Sequence, residues 1–286
     1  MLEKYGGARQ KTKKATVTGG AGLGVEQEDR GFQLEEKVDK MSVGIRLLSE
    51  GFMQAYIDFF YLTTNTTPSS IQPSEKHLED QKLNKQVKIE LEQDPETLTH
   101  ISDELQKGEL HWREQQVREC FFVYEKMAQM FEKNNNYETA SYFHQRCLDI
   151  SIEFKYIEGE AQAHRGLGIC EEQVCNKFEA MQHLETALEK AKNGEKFEVE
   201  KVISKDLVRV YQQIAKEYLD MNEYDMSLQF YEKCLHVSTN AQDRISEAEC
   251  YQQIGMIYET QGELDRAVEH RERFLDLCKE TGVIEK

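Results

Sequence analysis

The chain has 286 residues, of which 39% are hydrophobic and 31% are charged, and its formal net charge at pH 7 is −17. This excess of acids argues against nucleic acid as the main partner, because phosphate binding needs clustered Lys and Arg. It permits basic protein partners, or serves only to keep an elongated protein in solution. No apolar run is long enough to cross a membrane, and the seven cysteines are scattered, which indicates reduced thiols in an intracellular protein.

Residues 1–32 have the composition of a disordered arm, with much Gly, Thr and Ala and no apolar periodicity. Five basic residues make this arm the one basic patch of an acidic chain: Lys4, Arg9, Lys11, Lys13 and Lys14. Two interpretations stay open. The arm is an electrostatic tether to an acidic surface such as a tubulin lattice, or it is a solvated tail.

Residues 33–62 are predicted to form one long amphipathic helix, because apolar residues recur there at steps of three and four. Its apolar face needs a partner, which is either the rest of the chain or a coiled-coil partner from another chain. Residues 63–94 are predicted to be a linker, rich in Thr, Ser, Asn and Pro and then in charge. A further helix is predicted to start at Pro95, behind a capping acid, and to end near Gly108.

The remainder of the chain contains a repeated pattern, and the repeat region begins near Trp112. The segment YQQIAKEY at 211–218 recurs as YQQIGMIY at 251–258. Four units share a template of three positions. A small residue occupies the first, a second small residue follows 12 positions later, and the third position lies 7 residues after that. These positions are Ala128, Ala140 and Cys147; Gly168, Ala180 and Ala187; Ala215, Ser227 and Cys234; and Gly255, Ala267 and Phe274.

This pattern resembles the tetratricopeptide repeat, a helix pair whose small residues let two antiparallel helices cross closely. The resemblance implies an all-α solenoid of antiparallel helix pairs, with an array of about four extended repeats over residues 95–286. The first small residues are 40, 47 and 40 positions apart, whereas the commonest form of the repeat has about 34. Because the additional residues fall after the second helix of each unit, we expect longer helices and longer turns between units.

Short segments carry a narrower resemblance: residues 45–56, 206–211, 222–224 and 247–249. They are similar to the leading helix and the middle repeats of the tetratricopeptide repeat protein 29 family, and the resemblance covers roughly residues 38–62 and 115–283. Proteins of that family belong to motile cilia and flagella and act with inner dynein arms. The resemblance therefore implies a location in the cytoplasm, the cytoskeleton and the axoneme, with axonemal dynein subunits or associated axonemal proteins as partners.

The first helix of each predicted pair lines a groove that suits an extended or helical peptide. By the template, the groove residues are Phe122, Glu125 and Gln129; Gln162, Arg165 and Ile169; Arg209, Gln212 and Lys216; and Glu249, Gln252 and Met256. The apolar members would contact apolar side chains of the peptide. The cations Arg165, Arg209 and Lys216 would hold acidic groups.

No catalytic, cofactor-binding or metal-binding site is predicted. His144 and Cys147 lie three apart on one helix, a spacing that could begin a metal site, but Cys147 holds a packing position and no second ligand pair accompanies it. No phosphate-binding loop and no nucleophile motif is found. The chain is therefore expected not to be an enzyme and to need no cofactor.

The favoured function is a non-enzymatic scaffold of the motile axoneme that holds or docks inner dynein arm subunits. The alternative is a cytoplasmic peptide-binding adaptor of the kinesin light chain or spindle-orientation type. These two hypotheses differ in the protein partner, and neither involves nucleic acid or a membrane. A third hypothesis, an enzyme or regulatory subunit with a small-molecule site between repeats, has no supporting set of residues in the sequence.

Overall fold

The computed structural model describes residues 39–63, 95–194 and 197–282. The predicted basic arm and nearly all of the predicted linker lie outside these residues. Eleven helices make up the described part, and no strand occurs in it. In chain order they are α1 Lys40–Ser49, α2 Met53–Thr63, α3 Pro95–Arg113, α4 Val117–Lys133, α5 Tyr137–Glu153, α6 Ile157–Gln173, α7 Lys177–Asn193, α8 Phe197–Asp220, α9 Tyr224–Asn240, α10 Arg244–Gln261 and α11 Leu264–Thr281.

The predicted all-α solenoid is confirmed. Helices α4 to α11 form four antiparallel pairs, and each helix packs mainly on the helices before and after it. Buried apolar residues fall into two clusters, one on α1 to α6 and the other on α6 to α10. The fold is therefore held together by contacts between neighbours along the chain, as in other repeat arrays.

A residue in the left-handed region ends most of these helices. Such residues recur every 20 positions, at Gln115, Asn135, Lys155 and Cys175 and, after α8, at Asn222, Gln242, Gly262 and Gly282. At the end of α4, the N–H of Asn136 donates to the carbonyl of Phe131, and the N–H of Asn135 donates to that of Glu132, both at 2.9 Å. This is the Schellman arrangement, which satisfies the last carbonyls of a helix. The same pair of bonds closes the turns after α1, α3, α5, α6, α8, α9 and α10.

The expectation of longer turns between units is wrong. Helices α4, α5, α6, α7 and α9 have 17 residues each, and the turns after α4 and α5 both span three residues. The 40-residue spacing thus comes from two helix–turn units of equal length. The 47-residue spacing comes from α8, which has 24 residues and so exceeds α4 and α6 by 24 − 17 = 7. Long helices alone account for the length of the repeat.

Glycine at position 155 is expected to stabilise the protein, because the φ of Lys155 is 55°, a conformation that is strained for a residue with a Cβ. The left-handed conformation costs a non-glycine residue roughly 1–2 kcal/mol, and the larger entropy of an unfolded glycine takes back part of that gain. We expect Lys155→Gly to raise the free energy of unfolding by about 0.5–1 kcal/mol in urea denaturation. The control Gln182→Gly, at an exposed position inside α7, should lower it by a similar amount. Destabilisation by Lys155→Gly would contradict this explanation of the turn.

The small residues of the template lie where the paired helices cross. All of them are buried except Phe274, which is half-buried. A Cβ built on Gly168 would lie 3.1 Å from the carbonyl oxygen of Ala180. In the third pair, Ser227 Oγ donates to the carbonyl of Ala215 at 2.8 Å. The predicted register of the repeat, in which the first and second small residues face each other, is therefore observed.

The predicted single helix over residues 33–62 is not continuous in the described residues. Helix α1 ends before Gly51, whose φ is +82°, and α2 begins at Met53. Glycine adopts this conformation without strain, and it closes the turn after α1. Apolar periodicity continued across the break because both helices direct apolar residues toward the same neighbour, α3.

Helix α3 continues past Gly108 to Arg113, so the predicted end at Gly108 is also wrong. Gly108 is buried, and a Cβ at this position would lie 3.1 Å from the ring of Tyr124 and 3.3 Å from Val123. The Cys120 thiol of α4 donates to its carbonyl at 3.3 Å. The glycine therefore allows α3 and α4 to approach closely, and it does not terminate the helix.

Glu109 fixes the start of α2 from another helix. Its Oε2 accepts the backbone N–H of Ala55 at 2.9 Å, and its other oxygen accepts from Arg113. The first N–H groups of a helix have no intrahelical partner, and α2 lacks a side-chain cap of its own among the described hydrogen bonds. A buried carboxylate on α3 thus satisfies one of these groups and holds α2 against the array.

Asp58 ties α2 to the first repeat. It is fully buried and accepts hydrogen bonds from Tyr142 Oη at 2.7 Å, Gln54 Nε2 at 2.8 Å and Tyr124 Oη at 2.9 Å. Arg146 Nε lies 3.5 Å from the same carboxylate. Burial raises the pKa of Asp58, and the Arg146 charge and the three hydrogen bonds oppose this shift. One buried acid therefore joins α2, α4 and α5.

Candidate partner-binding groove

The first helices of the pairs are α4, α6, α8 and α10, and the candidate groove is the surface that they share. Helix α4 approaches α6, and α6 approaches α8, across the second helix that separates them in the sequence. The second helices do not approach one another to the same extent. Of the first helices, α4, α6 and α8 therefore lie on the inner side of the array, where neighbouring repeats are closest.

An ion-pair network joins α6 to α8 on this surface. Arg209 on α8 binds both carboxylate oxygens of Glu172 on α6, at 2.8 and 2.6 Å, and Asp206 at 2.8 Å. Arg165 on α6 binds the other oxygen of Asp206 at 2.6 Å. Glu172 and Asp206 are both buried. Bidentate pairs of this kind fix geometry as well as charge, so the network holds the first helices of the second and third repeats in a set relation.

A hydrogen bond extends the network to α10, and a charge interaction links it to α4. Gln213 donates to Glu172 at 2.7 Å, and Gln212 donates to Glu249 on α10 at 3.3 Å. On the other side, burial raises the pKa of Glu125 on α4, and the nearby Arg165 charge lowers it in part. Hydrogen bonds to Glu172 raise the pKa of the Arg209 guanidinium, which therefore stays charged. The surface thus forms a polar strip from α4 to α10.

All the predicted groove residues lie at the surface of the first helices, exposed or half-buried. The structure brings Glu125, Arg165, Arg209 and Gln212 into the polar strip. The exposed members that lie beside it are Phe122, Gln129, Lys216, Gln252 and Met256. Gln162 and Ile169 are half-buried. Binding of a partner by these residues stays a prediction.

The predicted role of Arg165 and Arg209 as cations for acidic groups of a peptide stays a prediction, in which the peptide would compete with acids of the chain itself. Their charges are already matched by Asp206 and Glu172 of the same chain. Sequence reasoning missed both acids, although Asp206 precedes Arg209 by three residues on one helix, a spacing that favours an ion pair. Glu172 lies in a different repeat, so its contact with Arg209 depends on the packing of α6 on α8.

His144 and Cys147, whose spacing could begin a metal site, lie in different surroundings. Cys147 Sγ lies 3.7 Å from the carbonyl oxygen of Phe121, between the helices of the first pair. The imidazole of His144 instead meets Glu132 on α4 and lies near Cys170 on α6. Sequence spacing could not reveal this second group, because its three members come from three helices.

One cavity of about 170 Å³ lies beside the Asp58 network and away from the groove. Its lining residues are Gln54, Glu109, Trp112, Tyr124, Arg146, Asp149, Ile150 and Glu153. Pockets that bind small molecules usually measure roughly 300–1,000 Å³. This cavity therefore gives little support to a small-molecule site between repeats.

Within the three described stretches, no helix has the length and apolar character that a bilayer crossing requires.

Residues 208–239 and 248–281 match the family model described as Tetratricopeptide repeat. The chain is 24% identical over 199 residues to tetratricopeptide repeat protein 29 of Trypanosoma brucei brucei, covering 67% of this chain and 40% of that protein. It is 22% identical over 258 residues to the mouse protein of the same name, covering 84% of this chain and 52% of that protein. The chain thus spans about half the length of the curated relatives it matches. These matches confirm the predicted resemblance.

A solved structure, BtubC (BKLC) from P. vanneervenii, aligns with a TM-score of 0.45 at 17% identity, over 86% of this chain and 92% of that one.

Proposed function

We propose that this chain, a tetratricopeptide-repeat protein related to tetratricopeptide repeat protein 29, is a non-enzymatic scaffold of the motile axoneme. In this proposal it holds or docks inner dynein arm subunits for ciliary or flagellar movement. Tetratricopeptide repeats are protein-interaction modules, and the chain is a repeat scaffold of that kind. The axonemal location, the dynein partner and the absence of catalysis belong to the proposal.

The continuous face of the first helices is the observation that carries the proposal. The ion pairs between α6 and α8 hold the middle of this face in one arrangement before any partner binds, and preorganisation lowers the entropy lost on binding. Exposed side chains lie beside the polar strip, and they differ between repeats, from Phe122 on α4 to Met256 on α10. The packing residues are similar in every repeat, whereas these surface residues vary. An array of this kind can therefore recognise one partner segment along the length of the array.

The resemblance to the tetratricopeptide repeat protein 29 family supports the cellular setting, because proteins of that family belong to motile cilia and flagella. The match with the mouse protein of that name covers 84% of the chain. A basic arm at residues 1–32 would add an electrostatic contact to an acidic tubulin lattice. Axonemal dynein subunits or their associated proteins are the expected partners.

A matched pair of double variants tests the groove. Phe122→Ser with Lys216→Glu changes one exposed apolar residue and one exposed charge on the first helices. Ile152→Ser with Lys192→Glu makes the same two changes on the second helices α5 and α7. With tagged chains expressed in ciliated cells, we expect the groove variant to recover less inner-arm dynein from axonemes by about tenfold or more. The control should recover it like the wild type, and equal recovery by both variants would exclude the groove.

The fraction in which the wild-type protein is found separates the two leading hypotheses. Co-purification with inner-arm dynein from isolated axonemes is expected of the axonemal scaffold. Recovery only from the soluble cell body, with other partners, would exclude the axonemal assignment and favour the cytoplasmic adaptor.

A further inference from the structure

Three potential metal ligands converge where the first repeat meets the second. Glu132 lies near the end of α4, His144 in the middle of α5 and Cys170 near the end of α6. His144 Nε2 is 2.8 Å from Glu132 Oε1, and Cys170 Sγ is 3.9 Å from the same oxygen. The three donor atoms all lie within 4.8 Å of one another. They form the only such group of three or more His, Cys, Asp or Glu side chains within residues 39–63, 95–194 and 197–282.

The surroundings make room for this group. His144 and Cys170 are buried, and Glu132 is half-buried, so the group opens to solvent on the carboxylate side. Gly166 on α6 lies against the imidazole, and a Cβ at this position would come within 2.3 Å of the His144 ring. Only glycine therefore lets the imidazole stand between α5 and α6 in this orientation. The access route through Glu132 also gives an ion a path to the buried donors.

We propose that Glu132, His144 and Cys170 form a binding site for Zn²⁺. The donors are an imidazole nitrogen, a carboxylate oxygen and a sulfur, a mixture that suits zinc and disfavours the hard cations Ca²⁺ and Mg²⁺. A thiolate and a carboxylate would together neutralise the two positive charges of the ion. A neutral site of this kind can be buried without an unpaired charge.

The donor geometry is close to that of a tetrahedral site. Usual zinc–ligand lengths put the nitrogen and oxygen donors about 3.3 Å apart, and place the sulfur about 3.6 Å from each. His144 and Glu132 would therefore move apart by about half an ångström, and Cys170 would approach His144 by about an ångström at most. No other His, Cys, Asp or Glu of the described residues joins the group, which leaves the fourth position to water.

Zinc at this site would add metal–ligand bonds between the first two repeats. Two ligands come from the first pair, α4 and α5, and the third from α6 of the second pair. The site would fix the angle between these pairs, and therefore the shape of the groove between α4 and α6. The inference is independent of the partner proposed above, because metal binding needs only the purified chain.

Cobalt is the probe for the test, because Co²⁺ replaces Zn²⁺ in tetrahedral sites and its bond to a thiolate absorbs in the near ultraviolet. The reduced, purified full chain is titrated with Co²⁺ and then with Zn²⁺. We expect one equivalent of Co²⁺ to give thiolate-to-cobalt absorption together with strong visible bands, and one equivalent of Zn²⁺ to abolish both. Cys170→Ser should lose the ultraviolet band. Cys175→Ser is the control, because Cys175 is exposed on the next turn and adventitious binding would use such a thiol.

Glu132→Gln keeps the test informative if Cys170→Ser fails to fold. Glu132 is half-buried. The variant should retain the thiolate-to-cobalt band but bind Co²⁺ more weakly, by about tenfold or more. The proposal is overturned if the wild type shows no thiolate band, or if Cys175→Ser removes the band. It is equally overturned if Glu132→Gln binds Co²⁺ as tightly as the wild type.

Discussion

Replacing Asp58 by alanine is expected to lower the free energy of unfolding by roughly 3–5 kcal/mol. The carboxylate is fully buried and accepts hydrogen bonds from Tyr124 and Tyr142. Its removal leaves two tyrosine hydroxyls without their acceptor and Arg146 without its nearest buried counter-charge. A buried polar group without a partner costs about 1–3 kcal/mol. The loss is measured by urea denaturation of the full chain.

Two further variants separate this explanation from a general loss of packing. Asp149→Ala removes an exposed carboxylate from α5 and should change stability by less than about 0.5 kcal/mol. Adding Tyr124→Phe and Tyr142→Phe to Asp58→Ala should cost less than the separate effects predict, because the hydroxyls no longer need the acid. An Asp58→Ala effect below about 1 kcal/mol would mean that apolar contacts alone hold α2.

The pH dependence gives a second measure of the Asp58 site. Burial raises the pKa of Asp58 above its ordinary value of 3.8 in the folded protein. Between 3.8 and the raised pKa, the folded state binds more protons than the unfolded state, so the free energy of unfolding rises as the pH falls. The gain is complete below the unfolded pKa. The stability of the wild type relative to Asp58→Asn should therefore be greater at about pH 4 than at pH 7, and no change would contradict the raised pKa.

Ala215→Leu is expected to lower the free energy of unfolding by roughly 1–3 kcal/mol. Ala215 is fully buried where α8 crosses α9, and its carbonyl accepts the Ser227 hydroxyl at 2.8 Å. Three additional carbons have no space there unless the two helices separate. Lys216→Leu, one residue along and exposed, is the matched control and should change stability by less than about 0.5 kcal/mol. Equal stability of the two variants would mean that the register of the repeat is wrong.

The architecture was predictable because it rests on residue size at fixed spacing. Gly168 and Ala180 stand 12 positions apart, and the structure places them in contact where α6 crosses α7. The division of the leading segment at Gly51 was harder to predict, because the apolar pattern continues through the turn. Gly108 shows the converse, since this glycine lies inside α3, allows close packing on α4 and does not end the helix. A single residue type does not decide between these roles without its neighbours.

The candidate sites were predictable only in part. The surface position of residues such as Phe122 and Lys216 follows from the periodicity of one helix. The pairing of Arg209 with Glu172 depends on how α6 and α8 meet, which no local pattern specifies. The same holds for Asp58, whose partners lie 66 and 84 residues away. Long-range polar contacts of this kind are decided by packing, and sequence spacing carries little information about them.

The seven additional residues at the start of α8 preserve the angular phase of the array. At about 100° per residue, seven residues rotate a helix by about 700°, only about 20° short of two full turns. Residues beyond the insertion, including Arg209 and Gln212, therefore keep the face that a 17-residue helix would give them. An insertion of two or five residues would rotate them by about 200° or 500° and turn this face toward the interior. The insertion instead extends α8 by about 10 Å. The residues of α8 on the inner surface of the array keep their alignment with those of the other first helices.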